Sequence, residues 1–291
     1  MDRRAFLATA AAVTAGCGQA GSSGTPTDGA GTATDTPAES PTDTPTETPT
    51  AAPPSVQVTD VSAPSGIEIG TNGTLSVTLE NAGGREGQFS APVEARIGTG
   101  AWATTGRTVS AAVPAGESVT ETVDLPPNDH VEPASYRLAE ADPVARTRFV
   151  ARELSLGEAH TLPNGVALSV EAAEFAEAYT YEGEDGETTL APTDGEKWAV
   201  GTLRAENTAD ETARAPLISD IALFRGEQEF SHHYAGDNRD RYRGGDLAAG
   251  AVSEGDLPTD VPLDADRSDL RVEYSEALDD GRVTVRWSLT D

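Results

Sequence analysis

The segment Leu75-Ser76-Val77-Thr78-Leu79-Glu80-Asn81 places apolar side chains at every second position. This period-two alternation is typical of a β-strand with one face buried and the other in water. The polar, glycine-containing stretch Asn81-Ala82-Gly83-Gly84 follows at once and indicates a turn. The segment therefore predicts a strand of a packed sheet that ends near Asn81.

Similar short alternating runs lie on both sides of this segment, and Gly, Pro and Asn turns separate them. They are Val56-Gln57-Val58, Val93 to Ile97, Val109 to Val113, the Val119/Val123/Leu125 set and the Tyr136/Leu138 pair. A long helical period is missing, and strands every 8 to 15 residues without intervening helices indicate antiparallel pairing. We therefore expect one antiparallel β-sandwich over residues 55–150.

The alternation restarts after Arg152-Glu153-Leu154, and it continues to the C-terminus. The predicted strands centre on Val166/Leu168/Val170, Trp198 to Asn207, Ile218 to Phe224, Val252, Leu270/Val272/Tyr274 and Val283/Val285/Trp287/Leu289. About seven strands follow from this spacing. We expect a second β-sandwich over residues 154–291 and an all-β fold class for the chain.

The two predicted sandwiches share short sequence echoes. Leu75 to Asn81 matches Gly201-Thr202-Leu203-Arg204-Ala205-Glu206-Asn207, and each stretch ends in Glu-Asn before a polar turn. Further on, Ala115-Gly116-Glu117-Ser118-Val119 parallels Ala249-Gly250-Ala251-Val252. An echo of two separate segments in the same order predicts two copies of one sandwich plan.

These residues carry a family resemblance that covers nearly the whole chain after residue 54. The Glu80-Asn81-Ala82-Gly83 strand end and the Pro114-Ala115-Gly116-Glu117 turn resemble the adhesion-type immunoglobulin-like repeats of surface proteins. Residues 154–291, with Gly195-Glu196-Lys197-Trp198 entering a strand that ends at Glu206-Asn207, resemble the telokin-like immunoglobulin domain of uncharacterised microbial lipoproteins. The resemblance implies tandem immunoglobulin-like sandwiches and a surface location, and it supplies no catalytic residue.

The N-terminus has the features of an export signal. Arg3 and Arg4 precede an apolar run over residues 5–15, which is too short to cross a hydrocarbon core of about 30 Å. The paired arginines resemble a twin-arginine signal. Thr14-Ala15-Gly16-Cys17 resembles a lipobox, in which cleavage leaves Cys17 as a lipid-bearing N-terminus.

We therefore expect a signal peptide over residues 1–16 and attachment to the membrane, on the extracellular face, through lipid on Cys17. The alternative for Cys17 is a lone thiol in a disordered tail. Residues 17–54 are rich in Ser, Thr and Pro and contain no basic or aromatic residue. Such a stretch has little to bury, so it predicts a disordered stalk, either O-glycosylated or plain.

The net charge indicates which classes of binding partner are compatible with the chain. The 291-residue chain has 49 Asp and Glu against 20 Lys and Arg, a net charge of -29, and Lys197 is its one lysine. This balance argues against nucleic acid as a partner. The excess of acids with few large apolar residues resembles proteins of salt-loving archaea, since molar salt screens the repulsion. An acidic face for Ca²⁺ or a cationic partner is the alternative explanation.

Motifs of known chemistry are absent or incomplete. Gly-x-Ser-x-Gly, His-Glu-x-x-His and phosphate-loop patterns do not occur. Gly98-Thr99-Gly100-Ala101-Trp102-Ala103 fits a dinucleotide pattern but opens no predicted helix. A blue-copper centre needs a Cys and usually a Met, and the only ones are Cys17 and Met1. We therefore expect no catalytic residue, no cofactor and no enzymatic activity.

Two polar stretches and a histidine pair remain as weak candidates for ion binding. His232 and His233 are adjacent, and neighbours on a strand point to opposite faces, which is poor geometry for one metal. The stretch from Asp237 to Asp246 has Arg239 and Arg241 where a calcium loop needs oxygen ligands, so we expect a mobile charged loop. Glu182 to Glu187 predicts a turn with four carboxylates, solvated or weakly calcium-binding.

Two further side-chain types suggest modification or ligand contact. Asn72-Gly73-Thr74 is an N-glycosylation sequon in a polar turn. Trp102, Trp198 and Trp287 lie in strand patterns, so core packing is expected for each, with an aromatic ligand platform as the alternative for Trp102.

These observations together predict a non-catalytic, lipid-anchored cell-surface protein that acts in binding, adhesion or envelope organisation. Its partner would be an envelope protein or glycan, bound through the loops at 182–187 and 231–246. The alternative function is a small-ligand or ion-binding subunit of a surface uptake or enzyme complex.

Overall fold

The computed structural model describes residues 50–233, 238–278 and 281–290. Arg3, Arg4, Cys17 and residues 1–49 in general lie outside the described residues. The predicted all-β class is confirmed, since the described part consists of strands, loops and two single-turn 3₁₀ helices, Ile218–Asp220 and Arg267–Asp269. Among the described residues, no helix has both the length and the apolar character that a bilayer span requires.

The first sandwich contains eight strands in two sheets. They are β1 (Val56–Ser62), β2 (Ile67–Glu68), β3 (Gly73–Asn81), β4 (Gly87–Ile97), β5 (Ala103–Val113), β6 (Ser118–Leu125), β7 (Pro133–Leu138) and β8 (Ala145–Val150). One sheet has the order β1-β3-β6, and the other has the order β2-β8-β7-β4-β5.

The alternation of apolar and polar residues in β3 explains why one face of this strand packs in the core. Leu75, Val77 and Leu79 are fully buried, whereas the intervening residues are partly or fully exposed. Tyr136 and Leu138 of β7 belong to the same apolar cluster. Burial of each such side chain stabilises the fold by about 1.5 to 3 kcal/mol.

The second sandwich contains thirteen strands. They are β9 (Arg152–Leu154), β10 (Ala159–Thr161), β11 (Val166–Ala176), β12 (Tyr179–Gly183), β13 (Gly186–Leu190), β14 (Glu196–Asn207), β15 (Ala213–Ala215), β16 (Ile221–Arg225), β17 (Gln228–Phe230), β18 (Gly245–Leu247), β19 (Val252–Pro262), β20 (Leu270–Leu278) and β21 (Gly281–Ser288). The main sheets have the orders β10-β11-β14-β19 and β17-β16-β20-β21-β9, and β12-β13 and β15-β18 form separate pairs.

The two sandwiches share one plan, as the sequence echo predicted. The echoed segments form β3 and β14, each an inner strand of the smaller sheet of its sandwich. The echoed turns place Gly116 and Gly250 at φ values of 71° and 73°. In each five-stranded sheet the last strand of the sandwich pairs with a two- or three-residue strand near its beginning.

Those edge pairs, β2 with β8 and β9 with β21, are parallel, whereas the other strand pairs are antiparallel, as predicted. The two sandwiches differ in where the short edge strand comes in the chain. β11 pairs with β14 as β1 pairs with β3, but β2 follows β1, whereas β9 precedes β11.

Only Ala151 separates β8 from β9. Across the junction, Arg152 Nη1 lies 2.6 Å from Glu68 Oε2, and the Val131 amide donates to the Arg282 carbonyl at 2.7 Å. Buried apolar side chains of both sandwiches form one continuous cluster. The two sandwiches are therefore joined by packing and hydrogen bonds and not by a linker.

Candidate functional site

The β12–β13 hairpin displays the acidic turn that the sequence predicted. Its strands pair from Tyr179 with Leu190 to Gly183 with Gly186, where a φ of 112° favours glycine. The four carboxylates at Glu182, Glu184, Asp185 and Glu187 are exposed. The hairpin therefore projects a dense negative charge into solvent.

An aromatic cluster holds the base of this hairpin. Tyr179, Tyr181, Trp198 and Val200 are buried together. The Tyr179 ring centroid lies 5.8 Å from that of Tyr181 and 5.9 Å from that of Trp198, and Trp198 Nε1 donates to the Leu190 carbonyl at 3.2 Å. The β12–β13 hairpin is thus fixed to the sandwich by the inward side chains of Tyr179 and Tyr181.

The second polar stretch chosen from the sequence lies directly against the hairpin. The Arg239 amide donates to the Glu182 carbonyl at 2.9 Å, and the Glu182 amide donates to Asp240 Oδ2 at 2.8 Å. Asn238 Nδ2 donates to the Tyr179 hydroxyl at 3.0 Å. Residues 179–190 and 238–246 therefore form one surface, which we call the acidic ledge.

The beginning of this second stretch is firmly held, so the expectation of a mobile loop is wrong for residues 238–242. The Asp256 amide donates to the Asp240 carbonyl at 2.8 Å, and the Tyr242 amide donates to the Asp256 carbonyl at 3.0 Å. Tyr242 is fully buried, with its hydroxyl donating to the Pro216 carbonyl at 2.9 Å. The stretch packs along β19 where Gly255 leaves room, since a Cβ there would lie 2.4 Å from the Tyr242 nitrogen.

A tyrosine and a carboxylate meet behind the ledge. The Tyr179 hydroxyl donates to Asp256 Oδ2 at 3.2 Å. Burial raises the pKa of Tyr179 to about 12, and burial, with the nearby Asp240 and Glu174 carboxylates, also raises the pKa of Asp256. Tyr179 therefore stays protonated at neutral pH and acts as a hydrogen-bond donor.

An open groove of about 590 Å³ runs beside this pair. Its lining includes Glu174, Tyr179, Thr180, Thr202, Asp256 and Arg267. The volume lies in the range of small-ligand sites, and the lining offers carboxylates, hydroxyls and one guanidinium. The groove could therefore accept a small polar molecule through hydrogen bonds.

The histidine pair does not converge. His232 contacts Thr259 Oγ1 through Nδ1 and the Ile221 carbonyl through Nε2, both at 2.8 Å, whereas His233 places its ring edge on Trp198 at 5.3 Å. Burial lowers the pKa of His232 to about 4. Both nitrogens of His232 are occupied by protein atoms, and no group of three His, Cys, Asp or Glu side chains within residues 50–233, 238–278 and 281–290 is arranged to hold a metal.

The remaining sequence candidates lie on the first sandwich or in the cores. Asn72 is exposed in the turn before β3. Trp198 and Trp287 are buried, as expected, whereas the expectation of core packing is wrong for Trp102, which is half-buried. The Gly98 to Ala103 stretch connects β4 to β5 and opens no helix.

A group of arginines on the first sandwich was not predicted from the sequence. Arg96 of β4, Arg137 of β7, and Arg146 and Arg148 of β8 point outward from the five-stranded sheet. Three strands contribute them, so no run of basic residues marks them in the sequence. Knowledge of the register between β4, β7 and β8 is the one signal that could have shown that these arginines lie together. We call the surface that they form the arginine face.

Comparison with solved structures finds matches of low similarity. An uncharacterised β-sandwich protein from Clostridium difficile 630 is 15% identical over 48% of this chain and 95% of its own, with a TM-score of 0.34. A proposed lipoprotein from Bacillus subtilis is 16% identical over 46% of this chain and 39% of its own, with a TM-score of 0.32. Likenesses this low carry no argument about function. Neither a protein-family model nor a curated protein matches the chain.

Proposed function

We propose that this chain is a non-catalytic surface protein, anchored by lipid on Cys17 to the outer face of the cell membrane, that binds an envelope partner through the acidic ledge. The observation that carries the proposal is the pair of hydrogen bonds between Glu182 and residues 239–240. They join two polar stretches 58 residues apart, as measured from Glu182 to Asp240, into one exposed surface.

The construction of the ledge supports a binding role. Its charged tips are exposed, while Tyr179, Trp198 and Tyr242 beneath them are buried. Rigid support under exposed polar loops lowers the entropic cost of ordering them on a partner. Four carboxylates at one hairpin favour a partner with a cationic patch.

The surface location and the host belong to the same proposal. Arg3, Arg4 and the Cys17 motif support export and lipid attachment, and the Ser/Thr/Pro-rich residues 17–54 support a spacer between membrane and sandwiches. The net charge of -29 supports a high-salt environment, such as that of halophilic archaea, where repulsion is screened. We also propose that the first sandwich belongs to the adhesion-type and the second to the telokin-like immunoglobulin family, and the strand-end motifs are the support for this assignment.

The groove beside Tyr179 and Asp256 favours a second candidate function, the binding of a small polar ligand as an accessory subunit of a surface complex. Native mass spectrometry of the exported protein tests it. A stoichiometric metabolite or ion that Asp256→Asn releases would favour this second function, and an unliganded mass would argue against it.

The experiment for the ledge compares two variants with equal change in charge. Glu184→Gln/Asp185→Asn/Glu187→Gln neutralises the hairpin tip, and Asp60→Asn/Glu80→Gln/Glu117→Gln neutralises three exposed acids of the first sandwich. Each tagged full chain captures envelope extract in molar salt, and the captured partner is then purified for a direct binding titration. We expect the tip variant to bind about tenfold more weakly or worse and the control to bind normally. Equal affinity of both variants would contradict the proposal.

A further inference from the structure

We propose that the arginine face of the first sandwich is a binding site for an acidic polysaccharide, whose carboxylate or sulfate groups are held by Arg96, Arg137, Arg146 and Arg148. This site lies on a different sandwich from the acidic ledge, and the inference does not depend on the role of the ledge.

Strand register brings these arginines together. Arg96 of β4 lies opposite Ser135 of β7, which lies opposite Arg146 of β8. Neighbouring strands are about 4.8 Å apart, and residues two positions apart on one strand are about 6.8 Å apart, which is the separation of Arg146 from Arg148. The result is a flat array of cations with a regular spacing.

The array is incompletely neutralised. On β2, β4, β7 and β8 the other charged residues at outward positions are Glu94 and Glu68, and β5 adds one further exposed cation, Arg107. Each glutamate already has an arginine partner: Arg137 Nε lies 2.8 Å from Glu94 Oε2, and Arg152 of the neighbouring sandwich binds Glu68.

Within the residues that the structure describes, no carboxylate lies within ion-pair distance of Arg96, Arg146 or Arg148. In a chain with a net charge of -29, such a surface attracts anions where the rest of the molecule repels them.

Trp102 holds part of the array in place. The guanidinium carbon of Arg137 lies 4.3 Å from the centroid of the Trp102 ring, and that of Arg96 lies 5.1 Å from it. Cation–π contacts of this kind restrain long side chains that otherwise move freely. Trp102 is therefore a positioning residue that presents two guanidinium groups before the ligand arrives.

The chemistry of the face favours a polysaccharide over other polyanions. A guanidinium group binds a carboxylate or sulfate through two parallel hydrogen bonds, which needs no pocket. The outward positions of β4, β7 and β8 between Glu94 and Arg148 hold Glu, Arg, Ser and Pro, and the Trp102 ring at this surface is half-buried against two guanidinium groups. The face therefore offers no large, fully exposed apolar anchor of the kind that protein interfaces use.

Duplex nucleic acid carries one negative charge per about 1.7 Å of its axis, so the surrounding acids would oppose it strongly. A polysaccharide with about one charged group per sugar has a lower charge density and meets less opposition.

The test is binding of the full chain, in detergent, to polygalacturonate and to dextran sulfate, with neutral dextran and duplex DNA as comparison probes. Arg146→Gln/Arg148→Gln removes two exposed cations from the face, and Arg214→Gln/Arg282→Gln removes two exposed cations from the second sandwich as the matched control. Thermal unfolding of all variants establishes that each is folded. Sedimentation of the unliganded chain detects self-association.

We expect binding to one or both acidic polysaccharides and none to neutral dextran, with the face variant weakened about tenfold or more and the control within about twofold. Tighter binding of polygalacturonate would identify carboxylate as the preferred anion, and tighter binding of dextran sulfate would identify sulfate. Trp102→Leu should also weaken binding, and Trp102→Phe should restore it.

Three results would overturn the proposal. They are an equal loss of polysaccharide affinity in the face variant and the control, binding of duplex DNA that is as tight as that of the polysaccharides or tighter, and self-association that the face variant abolishes. The last would identify the acidic surface of a second copy as the occupant.

Discussion

Asn81 and Asn207 occupy the same position in the two sandwiches and share three side-chain hydrogen bonds, and Asn81 Oδ1 also accepts the Ser55 amide at 2.9 Å. Both are fully buried at the end of an inner strand of the smaller sheet. Each Oδ1 accepts the amide two residues ahead, and each Nδ2 donates to the carbonyl four residues ahead and to a carbonyl at the end of another strand. The partners, at 2.7 to 3.0 Å, are Gly83, Arg85 and Val113 for Asn81 and Ala209, Glu211 and Leu247 for Asn207.

Replacement of either asparagine by alanine should destabilise the fold. Asn207→Ala leaves the Glu211 and Leu247 carbonyls and the Ala209 amide without their side-chain partner, and unsatisfied buried groups cost about 1 to 3 kcal/mol. We expect a loss of about 2 to 3 kcal/mol in the free energy of unfolding, measured by denaturant titration in molar salt. The exposed Asn164 also makes two hydrogen bonds, and Asn164→Ala should lose less than about 1 kcal/mol. Equal losses would contradict the structural role given to Asn207.

Gly255→Ala should separate residues 240–242 from β19. A Cβ at Gly255 would lie 2.4 Å from the Tyr242 nitrogen and 2.6 Å from the Arg241 carbonyl carbon, so the backbone must move. We expect a loss of about 2 kcal/mol or more, with faster amide exchange at Tyr242. Gly201 on β14 has its nearest neighbour at 3.8 Å, so Gly201→Ala should change stability by less than about 1 kcal/mol. Unchanged exchange at Tyr242 in Gly255→Ala would count against this packing.

Acid should destabilise the protein through His232. The pKa of about 4 in the folded state lies below the unfolded value near 6.5, so the unfolded state binds more protons between these values. Stability contributed by the neutral ring is present above about pH 6.5 and is lost as the pH falls towards 4, by up to about 3 kcal/mol. Unfolding free energies across this range should fall less steeply in His232→Gln than in the native chain. His233→Gln is the control, and a slope that it alone reduces would contradict the assignment.

The sequon at Asn72 should carry a glycan after export. Its asparagine and Thr74 are both exposed, which leaves the acceptor accessible to a glycosyltransferase. Intact-mass measurement of protein exported by its native host should show a glycan mass that both Asn72→Gln and Thr74→Ala remove. Identical masses for the native chain and both variants would rule out modification at this turn.

Cys17→Ser should release the exported protein from the membrane. Two acyl or ether chains on one residue anchor durably, whereas the side chain of serine takes no thioether lipid. Fractionation should place the native chain with membranes and the variant in the medium. Arg3→Lys/Arg4→Lys should instead leave the unprocessed chain inside the cell. A membrane-bound Cys17→Ser variant would show that something other than this lipid holds the protein.

Side-chain alternation was sufficient to predict the long strands. Runs such as Leu75 to Leu79 need one buried face, and the sheets satisfy that need in the predicted way. The strands of the second sandwich that were not predicted have three or five residues, too short for a period to be visible among polar neighbours; they include β10, β12, β13, β15, β17 and β18. This is why the second sandwich has more strands than the sequence predicted.

The site was only partly predictable, because its parts are distant in the chain. The acidic turn at 182–187 and the polar stretch beginning near Asn238 were recognised separately by composition. Their contact depends on the burial of Tyr179 and Tyr242, which a polar sequence context does not reveal. The arginine face depends on the register of β4, β7 and β8, and register follows from three-dimensional pairing and not from local pattern.

The single residue between β8 and β9 leaves no room for a hinge between the two sandwiches. Tension applied to the second sandwich passes to the first through the β8–β9 backbone and through contacts such as Glu68 with Arg152. Two domains joined by a flexible hinge would reorient independently under shear, whereas these two would rotate together. A rotation of the second sandwich would therefore be passed directly to the first.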